Sequence, residues 1–194
     1  MRHGDLDCRY ITTHQLPSGR PKMDHTAIEI IKIVHRLAFG EEGDETAALA
    51  GAFLSLPETI SVNATRDGKV VGNILFTPFV FKEHADKKCF LLAPLGVLPD
   101  YQGHGVGKEL VQNGVKCLKS IGADAVFVLG VPTYYPKHGF TPTNLQTPYP
   151  HLLTLPDSWM ILELNAGVAD HLTGETIAVE PFMQPAFWDT SGRE

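Results

Sequence analysis

Gln102-Gly103-His104-Gly105-Val106-Gly107 is the stretch whose reading decides the fold. It follows a strand-like segment, Leu91-Leu92-Ala93-Pro94-Leu95-Gly96-Val97, and opens a helix-like one from about Lys108 to Ile121. Glycine has no Cβ and tolerates positive φ, so glycines at a strand-to-helix junction bring bare backbone N–H groups close to a ligand. The helix N-terminus adds a partial positive charge, and the two features together suit a diphosphate. A plain tight turn before a helix would use the same glycines, so the neighbouring residues must decide.

Three phosphate-loop patterns compete. A Walker A loop, G-x-x-x-x-G-K-[S/T], finds Gly107-Lys108, but Gln102 stands at its leading glycine and Glu109 where magnesium needs a hydroxyl. A dinucleotide fingerprint, G-x-G-x-x-G, finds Gly105 and Gly107 but Leu110 in its third place, and Phe127 where the ribose needs an acid. The third pattern, [Q/R]-x-x-G-x-[G/A], is met by Gln102, Gly105 and Gly107.

That pattern resembles the pyrophosphate loop of the GNAT superfamily, the acyl-CoA-dependent N-acetyltransferases. The likeness extends over Leu95-Gly96-Val97-Leu98-Pro99-Asp100-Tyr101 into the loop, which is similar to the family's fourth strand. Downstream, Tyr134-Tyr135-Pro136-Lys137-His138-Gly139-Phe140 resembles the family's Y-x-x-x-G-F signature after its fifth strand. The two motifs and their spacing cover roughly residues 59–141. The resemblance implies an α/β chain of one N-acetyltransferase domain, residues 1–194. Its mixed, mostly antiparallel sheet would splay between the fourth and fifth strands and be flanked by helices.

It also implies a site. Acetyl-CoA, as co-substrate, would lie in the splayed cleft. Its pyrophosphate would meet Gln102, Gly103, His104, Gly105, Val106, Gly107 and Lys108, and its pantetheine arm the backbone of Leu95 and Val97. Pro94 cannot donate a ladder hydrogen bond and Gly96 weakens a strand interior, which fits a splayed strand; a simple edge strand is the other reading. The Val97 N–H is then the candidate donor to the thioester oxygen. Tyr135, at the family's spacing from Gly139-Phe140, is the candidate general acid for the departing thiolate. Tyr134 reads as a core aromatic and His138 as a surface histidine. An amine acceptor with pKa near 10 must lose a proton before it attacks. Glu83, His84 and Asp86, or Glu41, Glu42 and Asp44, are candidate bases, and no motif singles out one.

The rest of the chain is consistent with this frame. Asp24 caps an expected helix through Phe39, with Ile28, Ile31, Val34, Leu37 and Ala38 on its apolar face. A second helix runs from Asp44 to about Leu56. Strands are expected over Arg9–His14, Thr59–Arg66, Lys69–Phe81, Cys89–Val97, Ala125–Leu129 and Met160–Leu164, with Asp67-Gly68 as a tight hairpin turn. The loop helix carries Val106, Leu110, Val111, Val115 and Leu118 and ends at Gly122. A short helix is expected over Thr133–Lys137, a turn at Val168–Leu172, and nothing clear from Thr176 on. The Pro- and Thr-rich segment Thr141–Asp157 is expected to shape the acceptor side.

Composition limits the alternatives. The chain has 194 residues, 43% hydrophobic and 20% charged, which suits one soluble globular domain. A net charge of −6 argues against nucleic-acid or anionic-membrane partners. No apolar run approaches the roughly 20 residues that span a bilayer. Met1–Arg20 lacks the apolar core of a signal peptide. Three scattered cysteines without CxxC spacing read as free thiols in a reducing cytoplasm. No metal motif is present among the nine histidines. The expected function is therefore a cytoplasmic acetyl-CoA-dependent N-acetyltransferase acting on a small-molecule or protein amine. A homodimer is left open. A non-catalytic acyl-CoA sensor and a transferase of longer acyl groups are the alternatives.

Overall fold

The computed structural model describes residues 6–10 and 24–192. Its strands are β1 (Leu6–Tyr10), β2 (Ile60–Arg66), β3 (Lys69–Phe81), β4 (Cys89–Val97), β5 (Ala125–Leu129), β6 (Thr141–Pro142), β7 (Trp159–Glu163) and β8 (Thr176–Ala178). They form one sheet in the order β1-β2-β3-β4-β5-β7-β6, with β8 on β3. The helices are α1 (His25–Ala38), α2 (Gly43–Leu54), α3 (Val106–Ser120) and the single turn α4 (Pro185–Trp188). The fold is the mixed, mostly antiparallel α/β class expected. β4 and β5 are the parallel pair, and their pairing covers only Cys89–Leu91 with Ala125–Phe127. β4 runs on to Val97 without that partner.

The chain divides into two compact units, Met1–Phe76 with Ala93–Cys117, and Thr77–Leu92 with Leu118–Glu194. In the first unit, the Asp24 side chain accepts from Thr26 N at 3.2 Å and starts α1. Its buried residues are Ile31, Val34 and His35. Leu37, expected on this face, is 52% exposed. It lies six positions from Ile31, about 120° away around the helix, and the stripe that packs inward passes through a histidine instead. The β2–β3 hairpin turns at Asp67 and Gly68, whose φ values of 51° and 75° are both left-handed, as a two-residue turn of this kind demands. α3 buries Val106, Leu110, Val111 and Leu118, and leaves Val115 half-buried. Gly72 lets α3 close on the sheet: a Cβ there would meet Leu110 Cδ1 at 3.0 Å and Val106 Cγ1 at 3.2 Å.

The second unit is built around aromatic rings. Phe79 lies 5.2 Å from Phe127, 5.6 Å from Trp159 and 6.3 Å from Trp188, between ring centroids. The indole N–H groups are satisfied, Trp159 Nε1 by Leu145 O at 2.8 Å and Trp188 Nε1 by Phe182 O at 2.7 Å. β5 is buried from Ala125 to Val128, as its apolar run requires in a strand paired on both sides. Segment 141–158 is held in place by its ends and by the C-terminus. Thr190 Oγ1 accepts from Thr154 N at 2.7 Å and from Leu155 N at 3.0 Å.

Several expected boundaries move. β1 ends at Tyr10, and the rest of the expected strand, residues 11–14, lies outside the described residues. The helix expected over Thr133–Lys137 is a 3₁₀ turn over Tyr135–His138, closed by Gly139 at φ 90°. The unread C-terminus supplies β8 and α4.

Candidate active site

The loop between β4 and α3 has the conformation its glycines suggest. Pro99–Tyr101 make a 3₁₀ turn, and Gly103 and Gly105 sit at φ 74° and 84°. Only glycine adopts such angles without strain. The first intrahelical bond recorded at the start of α3 is Glu109 N to Gly105 O, at 3.0 Å. Among the described residues, no acceptor takes the N–H of Gly103, His104, Gly105, Val106, Gly107 or Lys108. They form a row of uncommitted donors at a helix N-terminus, where the helix dipole favours an anion. His104 and Lys108 are exposed beside them.

Gln102 has a more specific place than its motif position implied. Its Nε2 donates to Val97 O at 2.9 Å and so ties the loop to the end of β4. Leu98 N donates to Val71 O at 2.9 Å, toward β3. Successive N–H groups of extended backbone point to opposite edges, so the Val97 N–H faces the edge away from β3. Leu95, two residues earlier, presents its backbone to that same edge. Glu109, which spoils the Walker A pattern, accepts from Arg66 Nη2 at 2.7 Å and anchors α3 to β2.

Gly96 separates these two residues, and its missing side chain is occupied. A Cβ there would lie 2.7 Å from His35 Nδ1 and 3.3 Å from Ala38 Cβ. His35 is 0% exposed, and its Nε2 lies 2.8 Å from Asn73 Oδ1. Burial lowers its pKa from 6.5 to about 4, against the opposing effect of the Asn73 bond. Sequence reasoning passed over both residues. The available signal was a histidine on an apolar helix face and an asparagine in mid-strand.

Tyr135 opens the 3₁₀ turn after β5. Gly130 makes room for it: a Cβ at Gly130 would collide with Cε2 of the ring. Phe140 packs edge-on against the same ring at 5.5 Å, and Tyr134 at 5.1 Å. Burial, with a smaller contribution from Tyr134, raises the Tyr135 pKa above the ordinary phenol value. The Tyr134 ring packs at a tilt against His138, with ring centroids 4.8 Å apart.

The candidate bases are surface groups with partners of their own in several cases. Asp44 pairs with Arg36 at 2.6 Å, Asp86 with Lys87 at 3.3 Å, and His84 Nε2 lies 3.0 Å from Thr173 Oγ1. Glu41 and Glu42 are exposed. The Glu83 carboxylate lies over Gly174, where a Cβ would clash with it. The cysteines correct one expectation. Cys89 is a free, buried thiol, pushed up to about 12 by burial and then by Asp124. Cys117 is disulfide-bonded, so the three cysteines do not by themselves indicate a reducing compartment. No helix among the described residues is long and apolar enough to cross a membrane. Among them, no cluster of three His, Cys, Asp or Glu residues is placed to hold a metal ion.

Known proteins share both sequence and fold with this chain. The model of the Acetyltransferase (GNAT) family matches residues 28–140. "Uncharacterized N-acetyltransferase YjhQ" of Escherichia coli strain K12 is 40% identical over 158 residues, 78% of this chain and 86% of that protein. The crystal structure of the GNAT family N-acetyltransferase YhbS from Escherichia coli, in complex with CoA, superposes with a TM-score of 0.69 at 22% identity, covering 95% of each chain. A GNAT family acetyltransferase from Brucella melitensis, in complex with acetyl-CoA, gives 0.65 at 23% identity, covering 93% of this chain and 99% of that one. At such identities the structural likeness is one of fold, whereas the family match and the YjhQ identity reach the sequence itself. The chain belongs to the acetyltransferase (GNAT) family.

Proposed function

We propose that the protein transfers an acetyl group from acetyl-CoA directly to a primary amine. The observation that carries this reading is the row of uncommitted N–H donors from Gly103 to Lys108 at the start of α3. Such a row suits the pyrophosphate of CoA, and Lys108 adds a positive charge beside it. The CoA and acetyl-CoA bound in the Escherichia coli and Brucella melitensis structures support the choice of donor.

The backbone of Leu95 and Val97 takes the pantetheine arm in this reading. The Val97 N–H donates to the thioester oxygen as negative charge develops there. The amine nitrogen bonds to the acetyl carbon, the carbon–sulfur bond breaks, and Tyr135 gives its proton to the leaving thiolate. The amine's surplus proton departs to solvent and the phenolate is reprotonated from there. A phenol held protonated by burial remains able to donate across the neutral pH range. The buried Cys89 thiol is poorly suited to a covalent acetyl-enzyme, because only the thiolate is nucleophilic.

The test mixes purified protein with acetyl-CoA and a panel of small amines, amino acids and peptides, and follows free thiol. Thiol release with at least one amine, together with acetyl-CoA binding by calorimetry, is expected. No release from any amine and no binding heat would overturn the reading. Tyr135→Phe separates the enzyme from an acyl-CoA sensor: an enzyme loses turnover and keeps binding, whereas a sensor has no turnover in either form. Thermal shifts with acetyl-, butyryl- and octanoyl-CoA separate a short-chain donor from a longer one.

A further inference from the structure

A buried polar pair lies beneath β4 without an assigned role. His35 of α1 and Asn73 of β3 are both 0% exposed. Buried polar groups are retained at a cost unless their hydrogen bonds are made. Asn73 makes its own: Nδ2 lies 2.9 Å from Ser61 Oγ, 3.2 Å from Val62 O and 2.7 Å from Asn63 Oδ1, all on β2. With the amide nitrogen committed there, Oδ1 is the atom that faces His35, and it can only accept. The proton of the neutral imidazole therefore sits on Nε2, which donates at 2.8 Å. Nδ1 carries a bare lone pair and has no hydrogen-bond partner.

That unpartnered nitrogen meets β4 at one point, the place of the absent Cβ of Gly96. The ring edge there carries no hydrogen, so it comes closer to the strand than a methyl group would. The Asn73 bond fixes the rotation of the ring, which a purely apolar side chain would not do. Gly96 precedes Val97, whose N–H faces the open edge of the strand, and Gln102 holds the Val97 carbonyl from the other side of the residue. The Gly96–Val97 peptide is thus braced by an imidazole before it and an amide after it.

We propose that His35, clamped to Asn73, is a positioning residue that holds the Gly96–Val97 peptide so that the Val97 N–H meets the thioester carbonyl of the acyl donor. The inference rests on the acetyl-CoA reading above and concerns how that site tells an acyl-CoA from free CoA. His35 touches neither. Its low pKa keeps the ring neutral around pH 7, which preserves the bare edge toward Gly96.

Free CoA lacks the carbonyl oxygen and acetyl-CoA has it, so comparing the two isolates the Val97 contact. Calorimetry with acetyl-CoA and with CoA is run on the wild type, His35→Leu and His35→Gln, with a thermal melt of each. Leu keeps bulk and loses the Asn73 bond; Gln keeps an N–H at nearly the same reach. His35→Leu is expected to bind acetyl-CoA about threefold to tenfold more weakly, the scale of one misaligned hydrogen bond, and CoA within twofold of wild type. His35→Gln is expected to recover most of the loss. A wild type that binds neither compound sinks the acetyl-CoA reading itself. A wild type that binds both, with His35→Leu weakening the two equally or not at all, overturns the positioning role alone. Should His35→Leu fail to fold, His35→Gln against Asn73→Ala carries the same comparison.

Discussion

The side-chain amide of Gln102 donates to the carbonyl oxygen of Val97 at 2.9 Å, joining the residue that opens the glycine-rich loop to the residue that closes β4. One hydrogen bond therefore couples the position of the loop donors to the orientation of the Val97 peptide. Removing it with Gln102→Ala should loosen both, at a cost of about 1 kcal/mol, or roughly fivefold in acetyl-CoA affinity. Gln102→Glu should cost more, because a carboxylate cannot donate to Val97 O and adds negative charge beside the pyrophosphate. Calorimetry on the two variants checks the order; a glutamate variant that binds as well as wild type contradicts it.

Tyr135 and Gly130 make a paired prediction. Gly130→Ala should push the Tyr135 ring off the end of β5, since the new methyl and Cε2 compete for one space. The variant should lose turnover much as Tyr135→Phe does, by about 10²-fold or more if the phenol is the general acid. Acetyl-CoA binding in both should stay within a few fold. Thiol-release kinetics next to calorimetry distinguish this from general damage, which would lower binding as well.

Much of this site was legible because local rules wrote it. β3, β4 and β5 match their expected boundaries residue for residue, since Asp67-Gly68, the charged turn after Phe81 and Gly122 punctuate them. Gly103 and Gly105 announce their own positive φ. His35 was illegible for the opposite reason. A histidine among isoleucines makes sense only with Asn73, 38 residues later in the chain, and with a glycine on a third element. β8 escaped likewise: three residues without a period become a strand by pairing with Phe79–Phe81 of β3. Gly130 gave no pattern at all, because its role depends on where the Tyr135 ring falls.

The His35 site also predicts an acid limit to stability. A histidine whose pKa falls from 6.5 to about 4 on folding binds its proton more readily in the unfolded chain. Between those values the unfolded state carries more protons, so stability rises with pH there and is lost as pH drops. The shift corresponds to about 3 kcal/mol, fully lost only below the folded value. Protonation would add an N–H at Nδ1, facing Gly96 with no acceptor. Urea melts from pH 7 down to about 4 should show His35→Leu losing less stability than wild type over that range; parallel pH profiles would contradict the assignment.

Thr190 is expected to govern the order of segment 141–158 rather than the loop chemistry. Its hydroxyl accepts from Thr154 N and Leu155 N, and it is 1% exposed. The segment it pins lines an open pocket of about 500 Å³, bounded by Thr143, Gln146, Thr147, Leu153 and Pro156 among others. Thr190→Val keeps the volume and removes the acceptor, leaving two backbone donors to find water. The loss should be about 1–2 kcal/mol in urea unfolding, less than a fully buried orphan would cost because Thr154 and Leu155 are exposed. Limited proteolysis should then cut within 141–158 earlier than in wild type. Thr190→Ser keeps the acceptor oxygen and should restore both readouts; if valine behaves like wild type and serine does not, packing of the methyl group, and not the hydrogen bonds, holds the segment.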